Sequence, residues 1–196
     1  QREQLEKTRG RGLAILTEPV RSPTLGDQIA KLLEKFPEAI WRHYEPKNND
    51  RELAGAKLAF GRELETLYKF DQADVIVSLG ADFLVGGPGS VRYARDFSSR
   101  RRGTAAANDK AMSRLYVAET TLTITGAAAD HRIALAPPEV EKLARVIANK
   151  LGIAGVGEET DTASPWLDAV IDDLRSHRGR SLVIAGHGLS SETHAL

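Results

Sequence analysis

Three loops of the sequence hold carboxylates, serines and glycines that could together bind a phosphate group. They are residues 17–22, 80–90 and 119–125, each of which directly follows a predicted strand. Helix N-termini expected at Ser22 and Ser90 would offer free amide groups to an anion, and flexible glycines would let the backbone approach it. The candidate ligand-binding side chains in these loops are Glu18, Ser22, Asp82, Ser90 and Glu119.

A second interpretation of the glycine-rich loop is that its glycines only make a turn. The segment Gly87-Pro88-Gly89 is superficially similar to a nucleotide-binding fingerprint. However, Pro88 removes an amide donor, and Arg92 stands where the third glycine of that fingerprint belongs. Both interpretations stay open, and the residue types favour the turn.

Asp130, His131 and Arg132 form a second group that could do chemistry. A carboxylate beside an imidazole could transfer protons, but the sequence pairs no serine or cysteine nucleophile with it. A hydrogen-bonded cluster that braces the loop is the favoured alternative. Asp130 is therefore kept as a candidate for cofactor binding, and no catalytic residue is predicted.

The histidines give little support for a metal site. His187 and His194 are seven residues apart, and neither belongs to a Glu-x-x-His or His-x-His pattern. The chain has no cysteine, which excludes disulfides, thiolate zinc sites and iron–sulfur ligation within it. No metal site is predicted.

Arginines at 100–102, with Arg92 and Arg95 before them, could bind an anionic partner. The favoured alternative is a solvated helix end, because positive charge at a helix C-terminus suits the helix dipole. The chain has 27 basic and 27 acidic side chains, so no overall field attracts nucleic acid. No apolar run reaches the roughly 18–20 residues of a membrane span, so neither nucleic acid nor direct membrane insertion is expected.

The elements that must position these residues alternate between strands and helices. Strands are predicted at 13–17, 39–44, 75–79, 181–185 and 115–118, the last continuing through 119–125 to 133–135. Helices with one apolar face follow Ser22-Pro23 and Pro137-Pro138, and another follows Ser164-Pro165. This alternation predicts a three-layer, Rossmann-like α/β domain with a mainly parallel sheet of about five strands and helices on both faces. Residues 13–17 and 75–79 are expected to be interior strands.

The expected domain organisation is simple. Residues 1–12 are a charged helical lead-in, and residues 13–196 are a single Rossmann-like domain. Small polar loops are expected at 103–111 and 155–162. The sequence begins without methionine and ends where a helix begins, so we expect a fragment of a longer chain.

Several segments resemble a known family. Residues 59–61, 73–83 and 125–132 resemble the dinucleotide-like domain of molybdopterin oxidoreductases of the DMSO reductase class. The sequence is more similar to the iron–sulfur, molybdopterin-like subunit of alternative complex III. There Arg-Tyr-Ala-Arg-Asp-Phe (92–97), Arg-Leu-Tyr-Val-Ala-Glu (114–119) and residues 125–132 and 177–186 recur in the same order. The resemblance extends over residues 13–194.

The resemblance implies two alternative functions. Catalytic members bind molybdopterin guanine dinucleotide in loops like these, and their metal ligand would fall within residues 43–48, which offer no cysteine or serine. Where they have Asp-Pro-Arg this chain has Glu119-Thr120-Thr121, and Asp82 would repel a pyrophosphate. We therefore expect a non-catalytic scaffold domain without cofactor, the alternative being a true molybdopterin guanine dinucleotide-binding domain of an oxidoreductase.

The resemblance also implies partners and a location. The partners would be the remainder of the parent subunit and other subunits of a membrane respiratory complex that oxidises quinol. Iron–sulfur clusters would be carried only by another part of the parent chain. The implied location is the periplasmic face of a bacterial inner membrane.

Overall fold

The computed structural model describes residues 2–46, 48–102, 112–154, 156 and 164–196. The loop predicted at 103–111 and nearly all of the linker predicted at 155–162 lie outside these residues. The chain divides into two compact units, Gln1–Asn48 and Asn49–Leu196.

The first unit contains two helices and two parallel strands. The predicted helix after Ser22 is confirmed: Pro23 is its first residue, and the Ser22 hydroxyl caps it by accepting a hydrogen bond from the Leu25 amide at 3.3 Å. The elements of this unit are α1 (Arg2–Lys7), β1 (Ala14–Thr17), α2 (Pro23–Lys35) and β2 (Ile40–His43).

Strand β1 differs from the sequence prediction. It pairs with β2 in a two-stranded sheet, in register Ala14 with Ile40, and Leu16 is 70% exposed. The expectation that residues 13–17 form an interior strand is therefore wrong. A run of apolar residues is compatible with two-sided burial but does not require it, particularly in a strand of only four residues.

The second unit contains a four-stranded parallel sheet. Its strand order is β5-β4-β3-β6. The chain moves outward from β3 through β4 to β5 and then returns to the other side of β3, so β3 is interior and is buried at every residue. The elements are α3 (Asp50–Phe60), a 3₁₀ turn (Phe70–Gln72), β3 (Val75–Leu79), α4 (Ser90–Ser99), β4 (Arg114–Glu119), α5 (Ile124–Ala127), β5 (His131–Ala134), α6 (Pro137–Leu151), α7 (Pro165–Ser176), β6 (Ser181–Ala185) and α8 (Ser191–Ala195).

Apolar side chains cover both faces of this sheet, which confirms the predicted three-layer α/β class. Alternate residues of β3 point to opposite faces. On one face Val75 and Val77 pack in a core with side chains of α6 and α7. On the other, Ile76 packs with Phe70 of the 3₁₀ turn and Phe97 of α4. The six strands of the described residues thus divide four and two, where the sequence predicted one sheet of about five.

The region after β4 is also different from the prediction. Strand β4 ends at Glu119, residues 124–127 form the short helix α5, and β5 is a separate parallel strand that pairs Glu119 with Ala134. The expectation of one strand continuing through 119–125 to 133–135 is wrong. Threonines favour strands, but here Thr123 caps α5 by accepting a hydrogen bond from the Gly126 amide at 3.0 Å.

Helix α6 follows its sequence signals closely. It begins at Pro137, and Glu139 accepts a hydrogen bond from the Ala136 amide at 2.8 Å. It ends at Gly152, whose φ of 79° is the left-handed conformation that glycine adopts without strain. Within the described part of the chain, no helix has the length and apolar character needed to cross a membrane.

Candidate functional site

The strand order places a topological switch point between β3 and β6, where ligands of open α/β sheets usually bind. Here the two strands are joined tightly at their carboxyl ends. The Gly186 amide donates a hydrogen bond to the Leu79 carbonyl at 2.8 Å. A β carbon on Gly186 would collide with the carbonyl oxygen of Gly80. The first residues after the two strands therefore touch backbone to backbone, which leaves no space for a ligand atom between them.

Of the three loops that the sequence predicted to meet, the two in the second unit are joined by hydrogen bonds. The Asp82 Oδ1 atom accepts hydrogen bonds from the backbone amide of Thr125 at 3.0 Å and from its hydroxyl at 2.7 Å. The same hydroxyl oxygen accepts a hydrogen bond from the Leu84 amide at 3.2 Å. Thr125 is fully buried. Asp82 therefore ties the loop after β3 to helix α5.

Glu119 makes a second set of bonds to the same short helix. Its side chain is 4% exposed. The carboxylate accepts hydrogen bonds from the Thr123 amide at 3.2 Å and the Thr123 hydroxyl at 2.7 Å. On its other side the Nε of Arg132 donates to it at 2.6 Å. This buried carboxylate is thus paired with an arginine and accepts three hydrogen bonds.

The backbone of α5 fits closely around this carboxylate. A β carbon on Gly126 would overlap the Glu119 carboxylate. Glycine at this position therefore lets the backbone of α5 lie directly against that carboxylate. The Thr123, Thr125 and Gly126 amides are bonded to Glu119, Asp82 and the Thr123 hydroxyl. These three amides of the α5 turn are therefore occupied by side chains of the chain itself.

The two candidate serines lie at the starts of helices. Ser90 is the first residue of α4, and Gly89 precedes the helix without a side-chain cap. In the first unit, the Ser22 hydroxyl caps α2 and Glu18 is exposed. Glu18 and Ser22 belong to a different unit from Asp82, Ser90 and Glu119.

Asp130 lies at the opposite end of the sheet from the carboxyl-edge loops. It comes directly before β5, and its carboxylate accepts hydrogen bonds from Arg101 Nη1 at 2.7 Å, Arg101 Nη2 at 2.6 Å and the Leu115 amide at 2.8 Å. These bonds, chiefly those from Arg101, hold the pKa of Asp130 below its ordinary value. Asp130 is therefore not brought together with Asp82 and Glu119, and it belongs to a hydrogen-bonded cluster with Arg101 and the Leu115 amide, the kind of arrangement that the favoured alternative described.

The arginines at the end of α4 are not simply a solvated helix end. The Arg100 side chain is 7% exposed and pairs with Asp74, which also accepts a hydrogen bond from Arg180 Nη2 at 2.9 Å. Arg101 holds Asp130 as described above. The interpretation as a solvated end holds only for Arg102, which is exposed.

Sequence reasoning missed Asp74 and Arg180, although a signal was present. Asp74 comes one residue before β3 and Arg180 one residue before β6. Parallel strands that pair in register bring the residues before them together, and Val75 lies beside Ser181. The ion pair could be predicted only by knowing that β3 and β6 are neighbours, and the strand order could not be read from the sequence.

The two histidines considered for a metal have different surroundings. The His187 Nδ1 atom lies 2.6 Å from the Glu52 carboxylate. His194 packs against α3, where a β carbon on Gly55 would lie 2.5 Å from the His194 Cβ. Burial lowers the pKa of His194. The described part of the chain has no group of three or more histidine, aspartate or glutamate side chains that could hold a metal ion.

Comparison of the chain with models of protein families and with curated proteins found no match.

Proposed function

We propose that this chain is a non-catalytic, Rossmann-like scaffold domain. In this proposal it belongs to an iron–sulfur subunit similar to the molybdopterin-like subunit of alternative complex III. Its partners are the remainder of that subunit and neighbouring subunits of a quinol-oxidising complex at the periplasmic face of a bacterial inner membrane. The clusters that carry electrons lie elsewhere in the parent chain.

The proposal depends on one observation: two carboxylates accept hydrogen bonds from the backbone amides at the start of α5. A dinucleotide site at the carboxyl edge of a parallel sheet needs free amide donors and little negative charge, because it must hold a pyrophosphate. Here Asp82 and Glu119 bond the Thr125 and Thr123 amides. Each carboxylate takes an amide donor that a phosphate group would otherwise use, and Asp82 adds negative charge.

The surface of the same loops also supports a protein partner. Val85 is 54% exposed, Leu122 is 62% exposed and Ile124 is 60% exposed. These side chains lie in two loops that the bond between Asp82 and Thr125 holds together. Apolar side chains at the rim of a former ligand crevice are suited to contact with another protein.

Nucleotide titration of the full chain tests the proposal directly. We expect no heat of binding in calorimetry when GDP or molybdopterin guanine dinucleotide is added to about 1 mM. Micromolar binding that Asp82→Asn alters would instead support the alternative of a dinucleotide-binding domain. Asp71→Asn, which changes an exposed carboxylate in the 3₁₀ turn, is the matched control.

The proposed partners need a second experiment. The tagged chain is expressed in its own bacterium and purified from detergent-solubilised membranes. We expect subunits that contain iron–sulfur clusters to be purified with it and to be identified by mass spectrometry. The triple variant Val85→Ser, Leu122→Ser and Ile124→Ser should lose these subunits while keeping its circular dichroism spectrum. Recovery of the chain alone would contradict the scaffold proposal.

A further inference from the structure

A cavity of about 180 Å³ lies beside the edge strand β6 in the second unit. Val183 and Ala185 of β6 form one wall. Helix α3 contributes Ala56 and helix α6 contributes Ala148. None of the lining residues belongs to loops 80–90 or 119–127, so this site is independent of the proposed function.

The size and lining of the cavity suit one aromatic ring. An apolar cavity of about 150 Å³ is large enough to bind benzene in an otherwise ordinary protein core. The walls here are mostly aliphatic, with small alanine side chains on α3 and α6 where larger residues would fill the space. Val183 is 47% exposed, so this apolar wall is not covered by other parts of the chain.

The lining of the cavity also includes polar side chains. Tyr68 and Glu52 are among its polar lining residues, with Thr66, Thr193 and His194. The Tyr68 ring is held by aromatic contacts with Phe70 and Tyr93, at centroid distances of 6.0 and 5.9 Å. Burial, together with the Glu52 charge, raises the pKa of Tyr68 to about 12. The phenol stays protonated at neutral pH and can donate a hydrogen bond. One oxygen of the Glu52 carboxylate lies 2.6 Å from His187 Nδ1, and its other oxygen can accept a hydrogen bond.

A donor and an acceptor in the lining of a mostly aliphatic cavity match a hydroxyl group, which can accept one hydrogen bond and donate another. We propose that the cavity beside β6 binds a single-ring phenol. Its ring lies against Ala56, Ala148 and Val183, and its hydroxyl lies at Tyr68 and Glu52. A ring without a hydroxyl leaves both polar groups unused and binds more weakly.

Titration of the full chain with 4-methylphenol, followed by ¹H–¹⁵N NMR, tests this proposal. Shifts should concentrate on β6, α3 and α6, with a dissociation constant below about 1 mM. Toluene should bind the same residues about tenfold more weakly. The absence of localised shifts at 10 mM 4-methylphenol would overturn the proposal.

Two kinds of variant separate ring binding from hydroxyl binding. Tyr68→Phe should weaken 4-methylphenol about tenfold and leave toluene unchanged. Ala148→Leu should abolish binding of both by filling the cavity, and Ala30→Leu, on an exposed position of α2, should change neither. Should Ala148→Leu not fold, Val183→Phe at the half-exposed wall replaces it. The proposal would be overturned if every variant bound 4-methylphenol and toluene with the same affinity as the parent chain, because the binding site would then lie elsewhere.

Discussion

The carboxylate of Glu119 occupies the space where Gly126 would carry a β carbon. This contact fixes the position of α5 relative to the end of β4, because the carboxylate also bonds Thr123 and Arg132. The loop that the sequence suggested as a phosphate site is therefore a packed polar cluster. Its stability should depend on a glycine that has no unusual φ angle.

Gly126→Ala should destabilise the chain, because its methyl group must displace a buried carboxylate that three hydrogen bonds hold in place. Overpacking of this kind costs about 1–3 kcal/mol. Gly188→Ala is the matched control, since a β carbon there would meet nothing within 4 Å, and it should change stability by less than about 0.5 kcal/mol. Urea unfolding followed by circular dichroism measures both. Equal stability of the two variants would show that Glu119 can leave its position freely.

Asp74→Ala should be among the most harmful substitutions at the amino edge of the sheet. It leaves the Arg100 guanidinium buried, at 7% exposure, without this carboxylate. Loss of one member of a buried ion pair costs about 3–5 kcal/mol. Arg180→Ala removes the exposed partner of the same carboxylate, 56% exposed, and should cost less than about 1 kcal/mol. Chemical denaturation distinguishes these values, and the opposite ranking would contradict the assignment of Arg100 as the main partner.

Asp130 should contribute to loss of stability in acid. Its pKa is lowered in the folded state, mainly by the hydrogen bonds from Arg101. Its contribution is therefore complete above the unfolded pKa of about 3.9 and is lost as the pH falls through the lower folded pKa. Asp130→Asn keeps an oxygen for the Leu115 amide but cannot titrate. The variant should show a smaller fall in the free energy of unfolding between pH 5 and 2.5 than the parent chain, whereas Asp71→Asn should match the parent.

His194 should titrate below the ordinary histidine pKa of about 6.5. Burial lowers its pKa, so the folded state favours the neutral imidazole. The stability that this provides is complete above pH 6.5 and decreases as the pH falls toward the folded pKa. Side-chain NMR of His194 measures the midpoint directly, and amide exchange of α8 should accelerate over the same range. A midpoint above 6.5 would mean that the charge of Glu52 outweighs burial.

Features that depend on neighbouring residues were readable from the sequence. The apolar run of β3 predicted an interior strand, and every residue of it is buried. Pro137 and Gly152 marked the ends of α6 because proline and glycine have restricted or special backbone conformations. The α/β class followed from the alternation of such elements.

Features that depend on distant residues were not readable in the same way. Helix α5 is held by Asp82, whose bonded partner Thr125 is 43 positions away, so its threonines were mistaken for a strand. The partner of Asp130, Arg101, is 29 positions away, so their ion pair could not be read from the sequence. The exposure of Leu16 reflects pairing in a small separate sheet, which the apolar pattern of β1 cannot indicate.

The pairing of β3 with β6 has a consequence for synthesis of the chain. Asp74 and Arg180, which meet at the start of these strands, are 106 residues apart. At about 5–20 residues per second, the ribosome produces β6 about 5–20 s after β3. During this interval one edge of the most apolar strand has no partner within the sheet. The nascent chain is therefore exposed to aggregation at β3, and a chaperone that binds extended apolar segments would act there first.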